Sequence, residues 1–335
     1  MAGSGTAHLH DDGALLRVED LTVTYPVGHT GLQVHAVSGI SFDVLPGETL
    51  GLVGESGCGK STTGRAIMQL PRPNAGCIRF DGHELTTLTG EQMRLLRTNV
   101  QMVFQDPISS LNPRRKILDI VAEPLVVWGI GTPAERVERA RAVLADVGID
   151  PDVAGDRRPH QFSGGQCQRI SVARALVLDP KLLICDEPVS ALDVSVQAQI
   201  LNMLEDMKTR YGLTMVFIAH DLAVVKNISD RVCVMYLGKI CEVAPSDRLY
   251  ARPAHPYTDL LLKSIPVPDP SVRPAALERT AGEPPSPLAP PSGCRFRTRC
   301  PRAHQRCIDA EPLLTDLGDG QFVACHDPLR PSDSS

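Results

Sequence analysis

The residues best suited to chemistry lie in a few short runs. Residues 54–61 read GESGCGKS, a glycine-rich stretch ending in a lysine and a hydroxyl. Gly54, Gly57 and Gly59 let backbone N–H groups turn inward around phosphate oxygens, Lys60 adds a point charge for β- and γ-phosphates, and Ser61 offers a hydroxyl to Mg²⁺. Glu55, Ser56, Cys58 and Thr62 complete the loop and the turn that follows it. The run LLICDE at 182–187 ends in two carboxylates. Asp186 suits Mg²⁺ held through water, and Glu187 suits orienting or deprotonating an attacking water. TMVFIA at 214–219 leads into His220, and FSGGQ at 162–166 joins a helix-capping serine to two glycines.

These groups need elements to position them. A phosphate loop requires a strand before it and a helix after it, and TLGLV at 49–53 and the helical stretch 62–70 supply both. Leu182 to Cys185 and Thr214 to Ala219 are short apolar runs that predict fully buried strands, and Leu16 to Tyr25 is a further β-rich run. Three strand ends thus deliver phosphate chemistry to the edge at which open α/β sheets bind ligands. Ser163 predicts a cap on a helix running to about Val177, with Gly164 and Gly165 exposing N–H groups at its start. Between Asp106 and Leu178 the strand signals fade, and Val137, Ala140, Val143, Leu144 and Val147 recur at helical spacing over 133–147. A helical subdomain inserted into an α/β core is the simplest arrangement. No unit recurs at a fixed period.

The whole chain has 335 residues, 42% hydrophobic and 22% charged, with a net charge of -5. That composition excludes wholesale disorder and collagen-like structure, and leaves no global basic field to recruit nucleic acid or anionic lipid. The length predicts about two folded units. No stretch reaches the roughly 18 apolar residues of a membrane helix, and MAGSGTAHLHDDG lacks the cationic start and apolar core of a signal peptide. The expectation is a protein made in the cytosol that does not itself span a bilayer.

Proline and cysteine mark the C-terminal third. Of 28 prolines, 11 lie between Pro253 and Pro291, which predicts an extended linker. Beyond it, Cys294, Cys300, Cys307 and Cys325 have the spacing C-x5-C-x6-C-x17-C, whereas the other six cysteines are scattered. No C-x-x-C pair favours a zinc ribbon, and a reducing cytosol disfavours disulfides. Four thiolates could hold a 4Fe–4S cluster or zinc, or be free structural cysteines, with His304 and His326 as alternative ligands. Arg295, Arg297, Arg299, Arg302 and Arg306 form a basic patch that is either solvated or a contact for a partner subunit or headgroups.

With FSGGQ added to the phosphate loop and the paired acids, residues 16–250 resemble the nucleotide-binding subunit of an ABC transporter. The resemblance implies an α/β P-loop NTPase cassette with a RecA-like core, an antiparallel β subdomain and an inserted α-helical subdomain at about 106–178. An N-terminal tail (1–15), a Pro-rich linker (251–291) and a small Cys-rich C-terminal module (292–335) would flank it. The family binds ATP and Mg²⁺ between two head-to-tail cassettes, so Ser163, Gly164, Gly165 and Gln166 of one would close over the γ-phosphate held by the other. By the same resemblance Tyr25 stacks on adenine, Gln105 lies near Mg²⁺ and the water, Asp193 is the acid of the SALD loop, and His220 contacts the γ-phosphate. Ser61, Gln105 and Asp186 would then surround Mg²⁺, and Glu187, His220 and Gln105 would carry hydrolysis. Phe162 and Cys167 depart from the commonest pattern but leave the Ser-Gly-Gly-Gln atoms intact.

FQDPISSLNPR at 104–114, PHQFSGGQ at 159–166, HPYTDLLL at 255–262 and the cysteine tail are similar to the oligopeptide, dipeptide and nickel importer group. Some members of that group carry an iron–sulfur cluster in this tail. The resemblance implies a peripheral ATPase on the cytoplasmic face of the cell membrane. Its partners would be a second cassette, identical or homologous, two membrane permease subunits, and an extracellular or periplasmic solute-binding protein. The solute would be a dipeptide or oligopeptide, with nickel, glutathione or another solute as the alternative. ABC ATPases of DNA repair or translation share the half-sites. They ordinarily carry long coiled coils or two cassettes, and this chain has neither a heptad run nor a second phosphate loop.

Overall fold

The computed structural model describes residues 6–10, 12–265 and 283–329. They divide into two compact units, Met1–Thr87 with Ala219–Ser335, and Leu88–Ile218.

In the first unit an antiparallel sheet runs in the order Gln33–Val44, Leu16–Pro26, Ala75–Phe80, His83–Glu84. Alternation along Leu16–Pro26 buries Leu16, Val18, Leu21 and Val23. The period of two slips between Val18 and Leu21, where Asp20 takes a positive φ of 51° and the register shifts. Thr49–Val53, buried at every position, pairs in parallel with Arg231–Tyr236, which pairs antiparallel with Lys239–Pro245. Its entry is fixed by charge. Asp230 Oδ2 accepts the Thr49 N–H at 2.7 Å, and Arg231 bridges Asp43 at 2.9 Å and Glu48 at 2.5 Å. Burial alone would raise the Asp43 carboxyl, but the His10 amide and the Arg231 guanidinium hold it below its ordinary value.

The second unit holds three parallel strands, Val100–Val103, Leu182–Asp186 and Thr214–Ala219, with Leu182–Asp186 in the middle. Both later strands are buried throughout, as continuous apolar runs require when both faces are covered. Helices Ile117–Trp128, Pro133–Asp146 and Gly164–Leu176 pack on one another. In Pro133–Asp146 the buried residues are Ala140, Val143 and Leu144, while Val137 is 42% exposed. The apolar stripe begins at Ala140, one turn later than its period suggests, and the helix start carries a capping box between Thr132 and Glu135.

Three expectations at the chain ends need revision. Part of the predicted N-terminal tail is docked: His8 is buried with Nε2 2.6 Å from the Ser41 carbonyl, and the His10 amide donates to Asp43 at 2.6 Å. Of the linker expected over 251–291, residues 266–282 lie outside the described residues, and Pro256–Lys263 is a helix rather than an extended segment. It forms because His255 Nδ1 accepts the Tyr257 N–H at 3.0 Å as its cap and Tyr257, Thr258 and Leu261 are buried. The cysteine-rich tail is not supported as a separate module. Phe322–Val323 pairs with Lys239–Pro245, and the buried Phe296 ring sits 5.2 Å from Tyr236 and 5.3 Å from Tyr257, so this segment shares the first unit's core.

Candidate functional site

The phosphate loop follows the buried strand Thr49–Val53 and leads into helix Lys60–Ile67. Two of its glycines are compulsory. At Gly54, with φ 152°, a Cβ would lie 2.1 Å from the Met235 carbonyl oxygen, and at Gly59, with φ 107°, 2.2 Å from that of Ala36. Gly57 has φ 77° in open space, so its requirement is conformational only. Lys60 is buried and its ammonium donates to the carbonyls of Gly54 at 2.7 Å and Glu55 at 3.0 Å, which holds the charge across the loop. Cys58 is 4% exposed, and burial pushes its thiol up, so it serves as a small neutral filler. Its carbonyl accepts the Gly238 N–H at 2.8 Å. Glu55 and Ser61 are half-buried, Ser56 is exposed, and Thr62 is half-buried in the helix's first turn. Tyr25 is half-buried near the end of Leu16–Pro26, paired with Val34. His220 is exposed, directly after strand Thr214–Ala219 and one residue before Asp221, whose carboxylate caps the next helix at the Ala223 N–H.

In the second unit Asp186 closes its strand fully buried, and the next residue, Glu187, has a positive φ of 47°. That left-handed turn, fixed by the Glu187 N–H to the Ile218 carbonyl at 3.0 Å, redirects the chain at the strand end. Gln105 Nε2 donates to Glu187 Oε2 at 2.9 Å, so two of the residues expected to carry hydrolysis are in contact.

Ser163 caps helix Gly164–Leu176 as expected, within a capping box: the Gln166 N–H donates to Ser163 Oγ at 3.3 Å and the Ser163 N–H to Gln166 Oε1 at 3.0 Å. Gly165 has a second reason to be glycine. A Cβ there would fall 2.5 Å from Val196 Cγ1, whereas one at Gly164 would sit in ordinary contact, 3.5 Å from Leu192. Asp193 is exposed at the start of helix Val194–Tyr211.

Sequence reasoning missed several supporting residues. Gln197 Nε2 donates to the carbonyls of Val189 at 3.1 Å and Leu192 at 2.9 Å, bracing the loop that carries Asp193. Arg174 donates to the Ser110 carbonyl, and Ser110 Oγ lies 3.2 Å from Ser171 Oγ, tying the segment after Gln105 to the helix that Ser163 begins. Asp106 caps that segment at the Ile108 and Ser109 amides. An Asp one residue after a glutamine and just before a proline is a legible capping signal; the Gln197 and Arg174 contacts have none.

The tail cysteines are all free thiols. Burial pushes Cys294 up to about 11 and Cys325 to about 12, each raised further by neighbouring thiols. Among the described residues, no group of three or more His, Cys, Asp or Glu side chains is placed to hold a metal ion. The 4Fe–4S cluster that four thiolates could hold is therefore not supported. Likewise among them, no helix is long and apolar enough to cross a membrane.

Comparison with known proteins identifies the family. The ABC transporter family matches residues 37–190, and the family of the oligopeptide/dipeptide transporter C-terminal region matches residues 241–307. The oligopeptide transport ATP-binding protein OppF of Escherichia coli is 49% identical over 330 residues, covering 94% of this chain and 97% of that protein. AppF of Bacillus subtilis, of the same description, is 48% identical over 323 residues, 93% of this chain and 97% of its own. Among solved structures, a dimeric ATP-binding cassette in a post-hydrolysis state with ADP and Pi is 27% identical with a TM-score of 0.62, covering 69% of this chain and 98% of that one. A cassette of the cbiONQ complex from Clostridium perfringens is 29% identical with a TM-score of 0.63, covering 72% and 92%. The phosphate loop, the paired acids and the capped Ser-Gly-Gly-Gln helix thus belong to a member of the ABC transporter family, the transport-coupled ATPase subunit of an oligopeptide/dipeptide importer.

Proposed function

We propose that this chain is one of two cassettes that close head to tail on ATP and drive peptide uptake through two membrane permease subunits supplied by an external binding protein. Its place would be peripheral, on the cytoplasmic face of the membrane. The dimeric cassette among its structural relatives supports the pairing, and the peptide importers among its sequence relatives support the partners.

In this reading Tyr25 stacks on adenine, and the loop from Gly54 to Thr62 wraps the phosphates, with the backbone N–H groups after Glu55 and the Lys60 ammonium as donors. The donors suited to Mg²⁺ are hard oxygens, the Ser61 hydroxyl, the Gln105 amide and the Asp186 carboxylate, and the ion would neutralise charge building on the β- and γ-phosphates. Glu187 takes the proton of the attacking water, and His220 steadies the γ-phosphate. Ser163, Gly164, Gly165, Gln166 and Asp193 serve the nucleotide of the opposite cassette. The observation that supports this assignment most directly is the 2.9 Å hydrogen bond from Gln105 to Glu187. A base must be aimed before it can act, and the Gln105 amide holds one Glu187 carboxylate oxygen in place. The 4Fe–4S cluster is not part of this reading.

The test is reconstitution of the chain with its permeases in vesicles, measuring ATP hydrolysis and solute uptake as the binding protein is loaded with dipeptides, oligopeptides, nickel or glutathione. Stimulation by peptides is expected. Stimulation by nickel or glutathione alone would overturn the peptide assignment.

A further inference from the structure

A carboxylate as the second residue of an anion-binding loop works against its purpose. Glu55 repels the triphosphate that the loop exists to hold unless its charge is matched. The match comes from the far end of the chain. Arg299 forks onto the Glu55 carboxylate, Nη1 to Oε2 at 2.7 Å and Nη2 to Oε1 at 2.9 Å. The arginine side chain is 9% exposed and that of Glu55 28%, so the pair is sheltered from much of the screening that weakens surface ion pairs.

Arg299 is itself held. Its guanidinium lies 5.7 Å from the Tyr236 ring centre and 5.9 Å from that of Phe296, and Nη1 donates to Tyr236 Oη at 3.5 Å. The backbone of Glu55 is anchored by the same region, its N–H donating to Tyr257 Oη at 2.9 Å. Tyr257 packs on Tyr236 with ring centres 4.7 Å apart. The Glu55 carbonyl in turn accepts from Lys60 Nζ at 3.0 Å. Donor, acceptor and side chain of this one residue are therefore all committed, two of them to residues more than 200 positions away.

We propose that Arg299 is a positioning residue for ATP: it neutralises and turns aside the Glu55 carboxylate, so that the C-terminal segment presets the phosphate loop. It acts through Glu55 and need not touch nucleotide. The inference rests on the reading of residues 54–62 as the ATP phosphate site.

The test uses the full chain reconstituted with its permeases, with ATP dependence of hydrolysis and titration of a fluorescent ATP analogue as readouts. In Arg299→Gln, KM and Kd for ATP rise about tenfold, the size expected when a charge-assisted fork is lost and its carboxylate is freed, while kcat at saturating ATP stays within about twofold. Arg299→Lys keeps the charge without the fork and shows about a threefold rise. Glu55→Gln combined with Arg299→Gln binds ATP more tightly than Arg299→Gln alone, because the repelling charge is gone. Wild-type KM in Arg299→Lys or Arg299→Gln, or losses that multiply in the double variant, overturns the proposal. Should Arg299→Gln fail to fold, Arg299→Lys alone decides. Failure of the wild-type chain to bind the analogue would instead count against the phosphate-site reading.

Discussion

Replacing His255 with asparagine should flatten the dependence of stability on pH between about 4 and 6.5. His255 is 2% exposed, its Nδ1 accepts the Tyr257 N–H, and its backbone N–H donates to Glu242 Oε2 at 2.9 Å. Burial lowers its pKa from 6.5 to about 4, against an opposing backbone hydrogen bond at Ala324. The unfolded chain takes up this proton near 6.5 and the folded chain resists until about 4, so in that interval the unfolded state binds more protons and stability rises with pH. The contribution is fully present above 6.5 and is lost as pH falls through 4. At about 1.4 kcal/mol per tenfold in proton affinity, it amounts to about 3 kcal/mol, a large share of an ordinary domain's stability. Neighbouring Glu242 is pushed up by burial and has the opposite sign, stabilising at low pH and losing that effect as pH rises. It is common to both proteins and cancels in the difference. Asparagine retains a side-chain acceptor for the cap, so the variant should keep its helix start. Urea unfolding across this pH range should show the wild type losing about 3 kcal/mol relative to the variant between neutral pH and about 4. Parallel curves for the two proteins would refute the reasoning.

Glu187→Gln should cut phosphate release by a factor of at least about 100 while ATP binding survives, and ATP should then trap paired cassettes detectable by light scattering. Turnover at the wild-type rate would remove Glu187 as the base. Gly165→Ala should cost about 1–3 kcal/mol in thermal or urea unfolding because of the 2.5 Å approach to Val196, whereas Gly164→Ala is spared. Adding Val196→Ala to Gly165→Ala should restore stability, and its failure to do so would deny the clash. Gly54→Ala, which drives a Cβ to 2.1 Å from the Met235 carbonyl, should abolish binding of a fluorescent ATP analogue; retained binding would show that the strand end can yield.

The phosphate loop and the strands that feed the site were legible because each reports itself locally. A run such as Leu182–Cys185 is wholly apolar, and Gly54 and Gly59 stand where no side chain fits. Ser163 likewise announced its helix, with its partner Gln166 only three residues on. What stayed hidden depends on distant contacts. Arg299 looked like one member of a basic patch because its partner lies 244 residues earlier, and Gln197 sat in a helical sequence with nothing to show that it braces a loop. The tail was misread as a separate module for a related reason. It docks through the two-residue strand Phe322–Val323, the ring of Phe296 and scattered side chains such as Arg299, none long enough to carry a periodic signal.

Glu187 sits in a backbone conformation that glycine or asparagine adopts with less strain, at φ 47°. Position 187 is therefore one where durability and turnover pull apart. A search for heat-resistant variants that scores only folding would be drawn toward Glu187→Gly, gaining about 1 kcal/mol at the turn while discarding the carboxylate beside Gln105. A thermally improved cassette chosen in that way would bind ATP and stall.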